Sequence, residues 1–212
     1  NVKERWGETP LLIACETGNL KIVELLIKNN ANINAKNSYK QTPLHIACTL
    51  GNLDIIKLLI KNDASINNID NTLRETPLFI SCKKGSFYIV KLLIENGADV
   101  NAKNIWKNTP LHLICTKGYV DIVKLLIENE ADVNAKNLWK KTPLLYACFE
   151  GHVNIVKLLI KNNADLNLKT GRENTSLHIA CSRGHVDIVK LLIKHKVIVN
   201  YVIDNSMNII LN

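Results

Sequence analysis

The chain has 212 residues, 47% hydrophobic and 22% charged, with a formal net charge of +8. That is a globular composition, long enough for one or two domains, and no apolar run approaches the ~20 residues of a membrane helix. The basic excess permits acidic partners, nucleic acid or anionic lipid among them, without requiring one.

Taken from the N-terminus, one segment keeps returning. Thr9, Thr42, Thr76, Thr109, Thr142 and Thr175 each open a short apolar stretch, 33 residues apart except for one extra residue before Thr76. The units run 1–33, 34–66, 67–100, 101–133, 134–166 and 167–199, and residues 200–212 begin a seventh. A period of this size marks stacked repeats. The six cysteines, Cys15, Cys48, Cys82, Cys115, Cys148 and Cys181, recur at the same place in each unit.

The fourth unit shows the physical logic. Thr109 is a good N-cap because its hydroxyl can satisfy an unpaired helix N–H. Pro110 follows at N1, where its missing N–H costs nothing. LHLIC then predicts a short apolar helix, ended by Gly118, which tolerates a left-handed cap. After Tyr119 and Val120, DIVKLLIEN predicts a second helix. Its apolar positions Ile122, Val123, Leu125, Leu126 and Ile127 leave only a thin polar stripe, so most of it should be buried. ADVNAKNIWKN is polar and without helical period; it predicts an extended excursion with a turn at its tip.

These residues resemble the ankyrin repeat family. TPLHIAC, TPLHLIC and GHVDIVKLLIK match its helix pair, and NGADVNAKN matches the loop into the next finger, in phase six times over residues 1 to about 200. The resemblance implies an all-α solenoid of antiparallel helix pairs with short β-hairpin fingers, here a single array over 1–212. Packed helices lie ~8–10 Å apart, whereas disulfide Cα atoms must come within ~7 Å. Six free, mostly buried thiols are therefore expected, and with them a reducing, intracellular, cytoplasmic setting.

Catalytic and metal chemistry finds little support. His45 with Cys48, His112 with Cys115 and His178 with Cys181 stand three apart on a helix, a spacing open to nucleophile–base or ligand pairs. One register repeated three times instead points to structure, and the family resemblance implies hydrogen bonding around the helix start. His152 and His185, at positions held elsewhere by Asn, Ser or Tyr, suggest capping or surface roles; His195 is a lone surface candidate. Lys57, Lys91, Lys124, Lys157 and Lys190 recur on the second helix, which reads as a solvated face, with a binding surface as the alternative. No phosphate loop, paired catalytic carboxylates or triad spacing is present. The expectation is a non-enzymatic protein with no cofactor or metal.

The residue three before each threonine is Trp6, Tyr39, Leu73, Trp106, Trp139 or Arg172. In the family these positions fall near fingertips, which carry partner contacts. Ile105 and Leu138 precede the two central tryptophans and broaden the row. Two readings compete: rings lying flat between fingers as packing, or exposed anchors of the Trp and Tyr type found at hot spots. The next position usually holds glycine in the family, because the turn needs a positive φ. Only Gly7 keeps it; Lys40, Arg74, Lys107, Lys140 and Glu173 replace it, which leaves open a different turn or tolerated strain. Lys3, Lys36, Lys103, Lys136 and Lys169 add charge at the finger base.

In the family the ends of the inner helices also face the concavity, and here they bring Thr49, Leu50, Lys83, Lys84, Thr116, Lys117, Phe149, Glu150, Ser182 and Arg183. The expected surface is an aromatic ridge flanked by lysines on a monomer, binding a protein segment with apolar anchors and acidic flanks. The alternative is a nucleotide or single-stranded nucleic acid, its bases stacked on the rings and its phosphates on the lysines. The first unit is no more polar than the middle ones, and Lys196-Val197-Ile198 breaks the loop pattern. The expectation is that both ends are cut from a longer array, or from a protein whose other domains decide its biology.

Overall fold

The computed structural model describes residues 7–195. Trp6, Lys3, Lys196-Val197-Ile198 and the partial seventh unit 200–212 lie outside the described residues. The chain divides into two compact units, Asn1–Ile105 and Trp106–Asn212.

The first unit contains α1 (Pro10–Glu16), α2 (Leu20–Lys28), α3 (Pro43–Leu50), α4 (Leu53–Lys61), α5 (Pro77–Lys84) and α6 (Phe87–Glu95). The inner helices form a row, α1 on α3 and α3 on α5, and each also packs on the helix that follows it. The second unit contains α7 (Pro110–Lys117), α8 (Val120–Glu128), α9 (Pro143–Glu150), α10 (Val153–Lys161), α11 (Ser176–Ser182) and α12 (Val186–Lys194). There α7, α9 and α11 make the inner row, and α8, α10 and α12 the outer one.

None of these helices is long enough to hold together alone in water; burial between neighbours does it. In the second repeat Leu44, Ala47, Cys48, Ile55, Ile56 and Leu59 are fully buried, and Leu111, Ile114, Cys115, Val123 and Leu126 repeat the pattern in the fourth. Each large aliphatic chain so buried is worth about 1.5–3 kcal/mol. Among the described residues no helix is long and apolar enough to cross a membrane.

Helix starts follow two recipes. Where the third helical residue is Leu12, Phe79 or Leu145, the threonine hydroxyl accepts that residue's N–H directly, at 3.2–3.4 Å. Where it is histidine, the ring joins the cap. His45 Nδ1 accepts the Thr42 N–H at 3.2 Å and lies 2.8 Å from its hydroxyl. His112 and His178 do the same for Thr109 and Thr175.

The outer helices α2, α4, α6, α8 and α10 end in a left-handed residue, Asn30, Asp63, Gly97, Glu130 and Asn163 respectively. In each the N–H beyond it returns to the last turn, as Ala31 N does to Leu26 O at 3.0 Å, closing the otherwise open carbonyls. Beyond that turn the loop asparagine that opens a unit reaches the loop that closes the same unit: Asn34 Oδ1 accepts Ser65 N, Asn67 Oδ1 accepts Asp99 N, and Asn134 Oδ1 accepts Asp165 N, at 2.8–2.9 Å.

All six thiols are free, five of them buried and Cys181 half-buried. The expected β-hairpin fingers differ in one respect: no strand occurs among the described residues. Each finger is instead a tight loop, for which side-chain bonds replace a ladder.

Candidate interaction surface

The fingers begin with a small polar residue that is buried. Asn37 is 7% exposed, and its side-chain Oδ1 accepts the N–H groups of Tyr39 and Gln41 at 3.0 and 2.9 Å. Its backbone closes the same loop, Asn37 N donating to Gln41 O and Lys40 N donating to Asn37 O. Asn137 holds Trp139 and Lys141 in the same way, Asp70 holds Leu73 and Glu75, and Thr170 Oγ1 holds Arg172 and Asn174. Asp70 also spans the extra residue of its repeat, accepting the Thr72 hydroxyl at 2.7 Å.

This knot fixes the backbone through groups other than the tip side chain. The residues that replace glycine keep the left-handed turn: Lys40, Arg74, Lys107, Lys140 and Glu173 have φ between 56° and 60°. Strain of about 1–2 kcal/mol at each is offset by those loop bonds. Successive tips are then joined by one backbone bond each, Asn71 N to Tyr39 O and Ile105 N to Leu73 O in the first unit. Leu138 N to Trp106 O and Gly171 N to Trp139 O do so in the second.

In the first unit, Tyr39 is 49% exposed, Leu73 is half-buried, and Ile105 lies open. Lys40, Arg74 and Lys84 are exposed beside them, and Leu50 ends α3 in solvent. Lys83 is engaged: its Nζ lies 3.4 Å from Glu75, a carboxylate that is 6% exposed. Burial pushes the Glu75 carboxyl up, and Lys83 opposes the shift.

The second unit places Trp106 at 37%, Leu138 at 52% and Trp139 at 49% exposure. Lys107, Lys117 and Lys140 stand exposed near them in sequence. Phe149, at the end of α9, has the Arg183 guanidinium 3.5 Å from its ring centre, and Lys141 lies 5.4 Å from the ring of Tyr146. Asn137 Nδ2 donates to Asn108 Oδ1 and to the Tyr146 hydroxyl, at 2.8 and 2.9 Å, tying finger to inner helix. Large apolar side chains alternating with cations in this way can take apolar anchors and anionic flanks together.

The histidines have structural work. Because Nδ1 accepts a backbone N–H, the ring proton sits on Nε2. In His112 that Nε2 donates to Lys141 O of the next repeat at 3.1 Å. His45 Nε2 faces the Glu75 and Asn68 backbone and closes no hydrogen bond. Burial pulls the pKa of His45 below the ordinary histidine value, and that of His178 likewise.

His152 and His185 do more than sequence reasoning assigned them: their Nε2 atoms donate to Thr116 O and Phe149 O of the preceding repeat, at 3.3 and 3.2 Å. Each ring lies where a Cβ on Gly118 or Gly151 would be, within 2.8 and 2.7 Å. The glycine one repeat earlier was the available signal. The buried loop knot was also missed, although a small polar residue stands two or three positions ahead of every described fingertip.

A family model for ankyrin repeats matches the chain in three copies, over residues 1–70, 67–137 and 134–206. No curated protein matches it.

Proposed function

The chain belongs to the ankyrin repeat family, and from that premise we propose that it binds a partner protein through its fingertips and inner-helix ends. Ankyrin repeats are in general protein–protein interaction modules. The contact residues in this reading are Tyr39, Lys40, Leu73, Arg74, Lys83, Lys84 and Ile105 in the first unit. In the second they are Trp106, Lys107, Lys117, Leu138, Trp139, Lys140 and Phe149. The chain acts as a scaffold rather than a catalyst, and its partner segment carries apolar anchors with acidic flanks.

The observation that supports this most is the exposure of Leu138 and Trp139 on a backbone held independently of them. Tryptophan used only for packing would be covered; half-open rings beside Lys107 and Lys140 are suited to anchor contacts. The test is Trp106→Ala combined with Trp139→Ala, read as partner affinity and as thermal unfolding. Loss of affinity with an unchanged midpoint is the expected result. A large drop in stability with affinity intact would show that the rings are packing elements.

Single-stranded nucleic acid is the second reading, drawn from the same Trp–Lys adjacency. Salt separates the two. A polyanion should lose affinity steeply as ionic strength rises, and a protein segment anchored by apolar contacts should lose much less.

A further inference from the structure

The outer helices of the second unit carry a feature that shares no residue with the fingertip surface. α10 and α12 pack side by side. An open furrow of about 310 Å³ between them is lined by Val153, Lys157, Asp187, Lys190, Leu191 and Lys194.

The charge here departs from the sister repeats. In α6 and α8, Lys91 and Lys124 face a glutamate one turn on, Glu95 and Glu128, each at 3.8 Å. In α10 and α12 that glutamate is replaced by Lys161 and Lys194. Like charges four apart on a helix repel and destabilise it. The α2/α4 pair dilutes its lysines with Glu24, and α8/α10 with Glu128. Among the described residues of either unit, only the α10/α12 pair has lysine at all four positions. None of Lys157, Lys161, Lys190 and Lys194 has an ion-pair partner among the described residues. Asp187 shares the furrow without closing one.

We propose that the α10/α12 furrow is a docking site for an acidic segment of a partner protein bearing at least one bulky apolar side chain. The ammonium groups of Lys157, Lys190 and Lys194 line the furrow and complement carboxylates, with Lys161 one turn on from Lys157 adding charge beside it, and Val153 and Leu191 give the furrow an apolar lining. That lining favours a peptide over a nucleic acid strand or an anionic bilayer, neither of which would use it at this scale. Lysine stems can lie along an apolar side chain while their charged ends reach solvent or carboxylate.

The test uses the full chain and a fluorescein-labelled synthetic peptide in which glutamates flank a Leu-Phe pair. Binding at low salt is expected. Lys161→Glu combined with Lys194→Glu recreates the charge pattern of α6 and α8; it should weaken binding at least about tenfold without lowering the unfolding midpoint. If that variant unfolds, Lys157→Gln with Lys190→Gln gives the same reading with charge removed and length kept. Lys57→Gln with Lys61→Gln, the matching exposed lysines of α4, should leave peptide affinity unchanged, which separates this furrow from general basic charge. The proposal is overturned if the peptide does not bind, if the furrow lysine variants bind as well as the parent, or if Lys57→Gln with Lys61→Gln weakens binding as much as they do. Tighter capture of oligo-thymidylate or phosphatidylserine vesicles than of the peptide would also reject it.

Discussion

Leu93 in α6 and Leu126 in α8 hold the same register, one in each unit, and both are fully buried. Leu73 and Trp106 also share a register, three residues ahead of their threonines, and there the units part. The first unit offers one aromatic tip among its described residues, Tyr39, and ties Lys83 to Glu75. The second offers two tryptophan tips and stacks Arg183 on Phe149. Interior positions are held alike because every repeat must bury the same face against a neighbour. Tip positions are free to diverge because side-chain and backbone bonds of Asn37 or Asn137, and not the tip side chain, set the turn.

The strongest way to break that comparison is to cut both interiors. Leu93→Ala and Leu126→Ala should each cost about 2–5 kcal/mol, by similar amounts, in denaturant unfolding; a near-neutral result in one unit would end the equivalence. Next, the surfaces should part as the interiors do not. Trp106→Ala with Trp139→Ala should weaken partner binding by at least about 2 kcal/mol, measured by calorimetry, and Tyr39→Ala with Leu73→Ala by clearly less. Equal losses would end the contrast between the tips of the two units.

Much of the interior was legible from the 33-residue period: the threonine caps, the paired helices and the buried thiols all follow from local chemistry repeated in phase. The fingers were less legible. A lysine in a left-handed turn is a poor local choice, and what makes it tolerable is an Asn side chain three residues back, whose burial depends on packing. The short loops also close before a strand ladder can form, so the expected hairpins are turns. His152 was hidden for a different reason, since its hydrogen-bond acceptor, Thr116 O, lies 36 positions away. For the surface residues, sequence placed Leu138 and Trp139 at the tips, but only the structure says how open they are.

A subtler contrast lies in the histidine caps. His112 makes the bond to the next repeat that His45 lacks, so His112→Leu should cost about 1 kcal/mol more than His45→Leu; leucine already holds this position as Leu12 and Leu145. The same pair tests pH. A folded-state pKa below the ordinary 6.5 means that the unfolded chain binds the His45 proton more tightly. Stability is therefore full above pH 6.5 and drains as pH falls toward the lowered value. Thermal midpoints of His45→Leu should fall less over that window than those of the parent. The smallest effect concerns the tips: Lys140→Gly and Arg74→Gly should each raise stability by up to about 1 kcal/mol, as relief of left-handed strain outweighs glycine's extra chain entropy. A loss in either unit would show that the side chain itself supports its turn.

The thiols have a use that their burial creates. Burial pushes Cys15, Cys48 and Cys148 up to about 12, and Cys82 and Cys115 also upward, so alkylating reagents find almost no thiolate in the closed state. Each repeat thus carries its own chemical stopwatch: the rate at which a maleimide tags a given cysteine counts how often that stretch comes open, with half-covered Cys181 ticking first.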